Sequence, residues 1–293
     1  MTRFASRIAF LAAWSIVSVA GAQGVNDGVP EHGDQYYRPH VGQSGKDVVW
    51  VPTPDTLVAR MLQAAKATEK DVVYDLGAGD GKIPIAAARD FKARAVGIEY
   101  NPELAALATR NAQRAGVADR VKIIAGDIFE NDFSEATVVT LYLLPDLNFK
   151  LRPLLLKLKP GTRVVSHQFN MRDWEPDQSL SESFREAYLW IVPAPVAGQW
   201  KLKEERGDWT GTVDLAQVFQ RVGGTLAMAG KAQPLLGPAL SGAEFSFSFV
   251  DPKGEARAIR GTFDGDKFDG WMRFANYDTK VTGTRTTKQG GAK

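Results

Sequence analysis

The segment Val72 to Lys82 reads VVYDLGAGDGK, an apolar run that breaks at Asp75 into glycines at positions 77, 79 and 81. A run of this kind predicts a buried strand that ends in a loop lacking Cβ atoms at alternate positions. The main chain can then turn sharply and come close to a ligand. A dinucleotide loop would follow G-x-G-x-x-G, which puts its third glycine at position 82, where Lys82 stands. The spacing is wrong for NAD. A tight strand-to-helix turn can also demand G-x-G-x-G, so the residues at neighbouring strand ends must decide.

Strands and helices alternate around this loop. Thr53-Pro54-Asp55 reads as a helix start with Thr53 as N-cap and Pro54 at the first helical position, and Leu57, Val58, Met61, Leu62 and Ala65 form its apolar face. Strands are predicted at 71–75, 94–99, 121–125, 137–142, 162–169 and 186–192. Helices are predicted at 82–90, from Asn101-Pro102-Glu103 to Gly116, and near 146–158. Continuous apolar strands separated by helices indicate a parallel sheet covered on both faces. The expected fold for 48–195 is therefore α/β, a Rossmann-like doubly wound sheet. Residues 23–47 lack periodicity and read as a linker or lid, to which Tyr36, Tyr37 and Trp50 could contribute rings.

Two acidic residues close strands beside the loop. Glu99 ends GIEY, where a carboxylate can accept hydrogen bonds from both hydroxyls of a ribose. Asp127 follows the third strand in IIAGDIF, where it can accept from an exocyclic adenine amine while Ile128 packs on the ring. In such a sheet all three strand ends face one crevice. The loop, Glu99 and Asp127 together point to an adenosine-bearing cofactor.

After Pro193-Ala194-Pro195 the pattern changes to short alternating strands divided by turn signals such as Asp251-Pro252-Lys253-Gly254. Phe245, Phe247 and Phe249 alternate with serines, which puts three rings on one buried face. Residues 196–293 are expected to form a separate antiparallel β-barrel or sandwich of seven strands.

The first residues bear on location. Arg3 and Arg7 precede the uncharged apolar stretch Ile8 to Ala20, and Ala20-Gly21-Ala22 offers small residues where a signal peptidase reads. Residues 1–22 are thus expected to be a signal peptide, placing the protein in an exported, periplasmic position, or tethered to a membrane if the segment is not cleaved. With 36 basic and 34 acidic residues the chain lacks the charge footprint of a nucleic-acid binder. It has no cysteine, which excludes disulfides, zinc-thiolate sites and cysteine nucleophiles.

The three motifs resemble those of the class I S-adenosylmethionine-dependent methyltransferases: DLGAGDG the first, GIEYNPE the second with Glu99 on the ribose, and GDIF the third with Asp127 near adenine. The resemblance implies S-adenosyl-L-methionine as cofactor, bound by Thr53, Asp75, Gly77, Gly79, Gly81, Glu99, Asp127 and Ile128, with no metal. Within that class the chain is similar to the small membrane-targeted protein-lysine methyltransferases, through the V-P-x-x approach to the first helix, the D-x-G-x-G-D-G-K-I loop and Asp173-Trp174-Glu175-Pro176-Asp177 after the fifth strand. That group lacks a β domain.

The fourth strand ends in LYLLP, so Tyr142 to Pro145 should border the transferred methyl group. A nucleic-acid or glutamine N-methylase would carry [DN]-P-P-[YF] there. Tyr142 is a candidate for lining the acceptor channel and His167 for a base or hydrogen-bond donor, although packing would account for either. The expected activity is methyl transfer to a protein amine such as lysine. The alternatives are an exported binding protein without turnover, which an extracytoplasmic location favours, and a small-molecule or lipid methyltransferase.

Overall fold

The computed structural model describes residues 32–182, 184–274 and 277–288. The expected signal peptide and the first part of the linker lie outside them. Two sheets divide the chain.

The first sheet contains β1 (Val72–Leu76), β2 (Arg94–Glu99), β3 (Val121–Ala125), β4 (Val138–Leu141), β5 (Arg163–His167), β6 (Gln178–Glu182) and β7 (Arg185–Ile191), in the spatial order β3-β2-β1-β4-β5-β7-β6. Strands β1 to β5 run parallel, and β7 pairs antiparallel with both β5 and β6. The sheet is therefore mixed, where a parallel one was expected. Strand β6 was not foreseen because QSLSE carries one buried residue, Leu180, and no strong alternation. Helices α1 (Asp55–Ala64), α2 (Lys82–Phe91) and α3 (Pro102–Arg114) precede or follow the first three strands, and α4 (Pro145–Leu155) follows β4. The apolar sides of α1 and α2 bury Leu57, Met61, Ile83 and Ala87 against one face of the sheet. On the other face α4 buries Leu147, Leu151 and Leu155 with Trp174 and Trp190. The order reverses at β1/β4, which opens a crevice at the carboxyl ends of these strands.

Local chemistry explains most boundaries. Asn101 caps α3, accepting from the N–H groups of Glu103 (2.9 Å) and Leu104 (3.2 Å), with Pro102 in the first turn. The cap of α1 differs from the expectation. Pro54 occupies the N-cap position, and no side chain caps the helix. Thr53 turns inward instead.

The second sheet is a nearly closed antiparallel barrel of nine strands: β8 (Gly198–Glu204), β9 (Thr210–Val218), β10 (Arg221–Met228), β11 (Lys231–Pro234), β12 (Leu236–Ser241), β13 (Glu244–Val250), β14 (Ala256–Asp264), β15 (Lys267–Arg273) and β16 (Asp278–Lys288). Strands β11 and β12 were missed because KAQP and LGPALS each hold a proline and are short. They are edge strands, where a missing N–H is tolerated, and they narrow the seam, Leu235 N–H reaching the Gly224 carbonyl at 3.0 Å. Phe245, Phe247 and Phe249 fill the interior together with Trp200 and Phe268.

The two units touch through the turn between β9 and β10. Phe219 stacks on Trp174 with ring centroids 5.9 Å apart, and Gln220 accepts from Trp174 Nε1 at 3.0 Å. The DWEPD stretch thus belongs to the contact between sheet and barrel.

Candidate active site

A cleft of about 270 Å³ lies over the carboxyl ends of β1, β2 and β4, and seven of the expected cofactor residues line it: Thr53, Asp75, Gly77, Gly79, Glu99, Asp127 and Ile128. Gly77 and Gly79 have φ of +90° and +55°, the left-handed region that L side chains avoid. A Cβ on Gly79 would sit 2.6 Å from Nε1 of Trp50. Gly81 does not line the cleft. It precedes α2 at φ +83°, and a Cβ there would lie 2.9 Å from that of Ala108, so this glycine lets α2 and α3 approach.

Glu99 Oε2 accepts from the Gly79 N–H and Oε1 from the Asn101 N–H, both at 2.8 Å. Each oxygen keeps a further lone pair. Asp127 Oδ1 accepts from the Phe129 N–H at 2.9 Å, and its Oδ2 pairs with Lys46 at 2.5 Å. Lys46 belongs to a strap that crosses the cleft. Asp34 fastens one end of the strap to α3 through Arg110 and Arg114, which hold its carboxyl far below the usual range. Trp50, buried against Leu104 and Leu107, fastens the other. At this end Trp50 lies over the glycine loop, whereas Tyr36 is exposed.

The electrostatics select the kind of ligand. Burial raises Asp75 to about 7, opposed by a 2.6 Å hydrogen bond from Thr140 and reinforced by Glu99 and Asp80. Burial also raises Asp80 and Glu99; the Lys82 charge opposes the first, and the Asn101 and Gly79 N–H groups the second. The two lysines lining the cleft are already paired, Lys46 with Asp127 and Lys82 with Asp55. A pyrophosphate would meet three carboxylates. A ligand carrying a sulfonium and an ammonium would relieve their mutual repulsion, and the residues present fit S-adenosylmethionine on that ground.

Tyr142, Leu143 and Leu144, just after β4, and Phe169, just after β5, also line the cleft. His167 was expected there and lies behind Tyr142 instead, 1% exposed and absent from the lining, with burial lowering it to about 4 and the Arg185 charge acting in the same direction. Its Nδ1 is 3.0 Å from Thr53 Oγ1. The sequence reading missed Lys46 and Phe169. Phe169 stands two positions after His167 and was open to discovery once the end of β5 was placed, whereas nothing local in Lys46 announces its contact with Asp127, 81 positions away.

Comparison with known proteins agrees with this geometry. The model of the ANTKMT methyltransferase domain matches residues 75–178, from the aspartate of the glycine loop to the start of β6. A protein-lysine N-methyltransferase of Saccharolobus islandicus is 51% identical over 146 residues, which make up 49% of this chain and 86% of that protein. The chain belongs to this methyltransferase family. Other similar proteins are the mouse adenine nucleotide translocase lysine N-methyltransferase, 36% identical over 41% of this chain and 53% of that protein, and a crystal structure of an RNA methyltransferase from Salinibacter ruber with S-adenosylhomocysteine, 54% identical over 50% of this chain and 96% of that one, with a TM-score of 0.49. By this family membership the methyltransferase is an S-adenosylmethionine-dependent enzyme, and the family model ends before the barrel begins.

Proposed function

We propose that the methyltransferase modifies the side-chain amine of a protein lysine. The observation that carries this reading is the 51% identity to a protein-lysine N-methyltransferase across 86% of that protein's length. The acceptor end supports it. Tyr142, Leu143, Leu144 and Phe169 offer apolar and aromatic surface to an alkyl stem, and no [DN]-P-P-[YF] amide stands there to bind a planar base nitrogen. In the same reading Glu99 takes the ribose hydroxyls, Asp127 the adenine amine, Ile128 the adenine face, and Asp75 the positive methionyl end.

The cofactor supplies an electrophilic methyl group on a sulfonium with a good leaving group. A neutral amine forms the new N–C bond as the S–C bond breaks with its electron pair left on sulfur, and one proton passes from nitrogen to water. The chain's part is orientation and dryness: Leu143, Leu144 and Phe169 exclude water while the strap covers the adenosine end. The leader-like N-terminus supports an exported or membrane-tethered location. Its check is whether the mature protein fractionates outside the cytoplasm.

Incubating the full-length protein with radiolabelled S-adenosylmethionine and separate protein, RNA, lipid and small-molecule fractions tests the acceptor. Methyl-lysine in the acid hydrolysate of the protein fraction is the expected result. Label confined to RNA, to lipid or to small molecules refutes it.

A further inference from the structure

Behind the acceptor end of the cleft, four elements converge on one histidine. The rings of Tyr142, just after β4, and His167, at the end of β5, have centroids 3.8 Å apart at 32°. At its ring edge His167 meets Thr53 Oγ1 through Nδ1 at 3.0 Å, and both residues are buried, 1% and 5% exposed. Directly after His167 the chain reverses over three residues. Phe169 N–H donates to the His167 carbonyl at 2.8 Å, and Gln168 between them has φ +68°. Such a turn is strained for an L residue and persists only where its surroundings enforce it. Here Asn148, buried on α4, donates through Nδ2 to the Phe169 carbonyl and to Ser166 Oγ, each at 3.1 Å, and the Gln168 N–H reaches the Glu186 carbonyl on β7 at 2.7 Å.

The consequence of this turn is the placement of Phe169. Its ring lies beside that of Tyr142, centroids 6.4 Å apart and 25° from parallel. An alkyl chain between two rings needs about 7 Å or more, two carbon contact distances. Nothing threads between them, so the rings act as one wall, and both line the cleft. An aromatic face attracts an alkylammonium. The nitrogen becomes cationic on receiving its methyl group, which puts a new positive charge beside this wall.

We propose that Tyr142 and Phe169 form the aromatic wall that favours the alkylammonium charge developing as the amine takes up its methyl group, and that His167 is the positioning residue that holds this wall, through its stack on Tyr142 and the strained turn that delivers Phe169. The inference rests on the amine-acceptor reading above. His167 acts from behind the wall, so its ring matters and its ionisation does not.

The test uses full-length protein saturated with S-adenosylhomocysteine and two probes, butyltrimethylammonium and its uncharged carbon isostere, titrated by NMR. Wild type should bind the cation at least tenfold more tightly. Phe169→Ala and His167→Ala should abolish that preference while calorimetry finds S-adenosylhomocysteine affinity unchanged within threefold. His167→Phe, which keeps a ring behind Tyr142, should retain the preference and covers the case in which the alanine variant fails to fold. Turnover adds a second readout: His167→Phe should keep kcat within fivefold, and Phe169→Ala should raise the acceptor KM tenfold or more. Equal binding of both probes by wild type overturns the wall. A hundredfold loss of kcat at unchanged KM in His167→Phe overturns the positioning role, since that is the signature of a lost base. Because the probes require no acceptor protein, a wild type that prefers the cation but methylates no lysine would refute the earlier reading alone.

Discussion

Asp75→Asn should make the cofactor-free methyltransferase more stable and a poorer cofactor binder at the same time. The carboxyl is 3% exposed, and burial raises it from an ordinary 3.8 to about 7. In the unfolded chain it ionises near 4; in the folded chain it stays protonated until about 7. The stability tied to its neutral form is fully present below pH 4 and is lost as the pH rises through 7. Between those limits wild-type stability should fall by roughly 1.4 kcal/mol per pH unit relative to the asparagine variant, about 4 kcal/mol in all, and the difference should level off above pH 7. Asparagine retains an acceptor for the Thr140 hydroxyl, which reaches Asp75 Oδ1 at 2.6 Å, so the variant isolates the charge. Urea unfolding of both proteins at pH 5, 6, 7 and 8 without cofactor measures the slope. Calorimetry with S-adenosylmethionine measures the other side: at pH 8 the variant should bind at least tenfold more weakly, and at pH 5.5, where wild type is itself protonated, the two should converge. A stability difference that does not change with pH would refute the assignment of a buried, unpaired charge. Equal affinities at pH 8 would refute its role toward the positive end of the cofactor.

Three further substitutions probe the rest of the molecule. Gly79→Ala drives a Cβ to within 2.6 Å of Trp50 Nε1 at a left-handed φ, so Trp50 should leave its seat; a red-shifted tryptophan emission with weaker cofactor binding is expected, and unchanged emission would show that the strap does not rest on the loop. Glu99→Gln should weaken cofactor binding by roughly 2 kcal/mol in calorimetry, because a neutral amide replaces a charged acceptor and one of the N–H bonds from Gly79 and Asn101 is lost. Phe219→Ala removes the ring stacked on Trp174 and should lower stability by roughly 2 kcal/mol while leaving cofactor affinity alone. A loss of cofactor binding there would mean that the barrel shapes the cleft.

Much of this molecule was written locally in its chain. Glycine at 77 and 79 is required where the backbone turns left-handed at a strand end. The apolar runs VVYDL, RAVGIE and VVTL can be satisfied only by burial on both faces, and Asn101-Pro102-Glu103 starts a helix by bonds that span three residues. The alternating phenylalanines of β13 specify a barrel interior in the same way. Such features depend on neighbours in sequence, and the fold class and the carboxylates of the cleft followed from them. What tertiary structure decided is pairing across distance. Whether Thr53 caps a helix or meets His167, 114 positions away, depends on where β5 ends relative to α1. Gly81 answers to Ala108 on another helix, and Lys46 to Asp127. The short strands β6, β11 and β12 carry too little periodicity to announce themselves and form because a stronger partner offers them an unpaired edge. His167 shows the difference most clearly: its chemistry allows a base, and its burial behind Tyr142 makes it a support, because a proton on a desolvated imidazole costs more than the site returns.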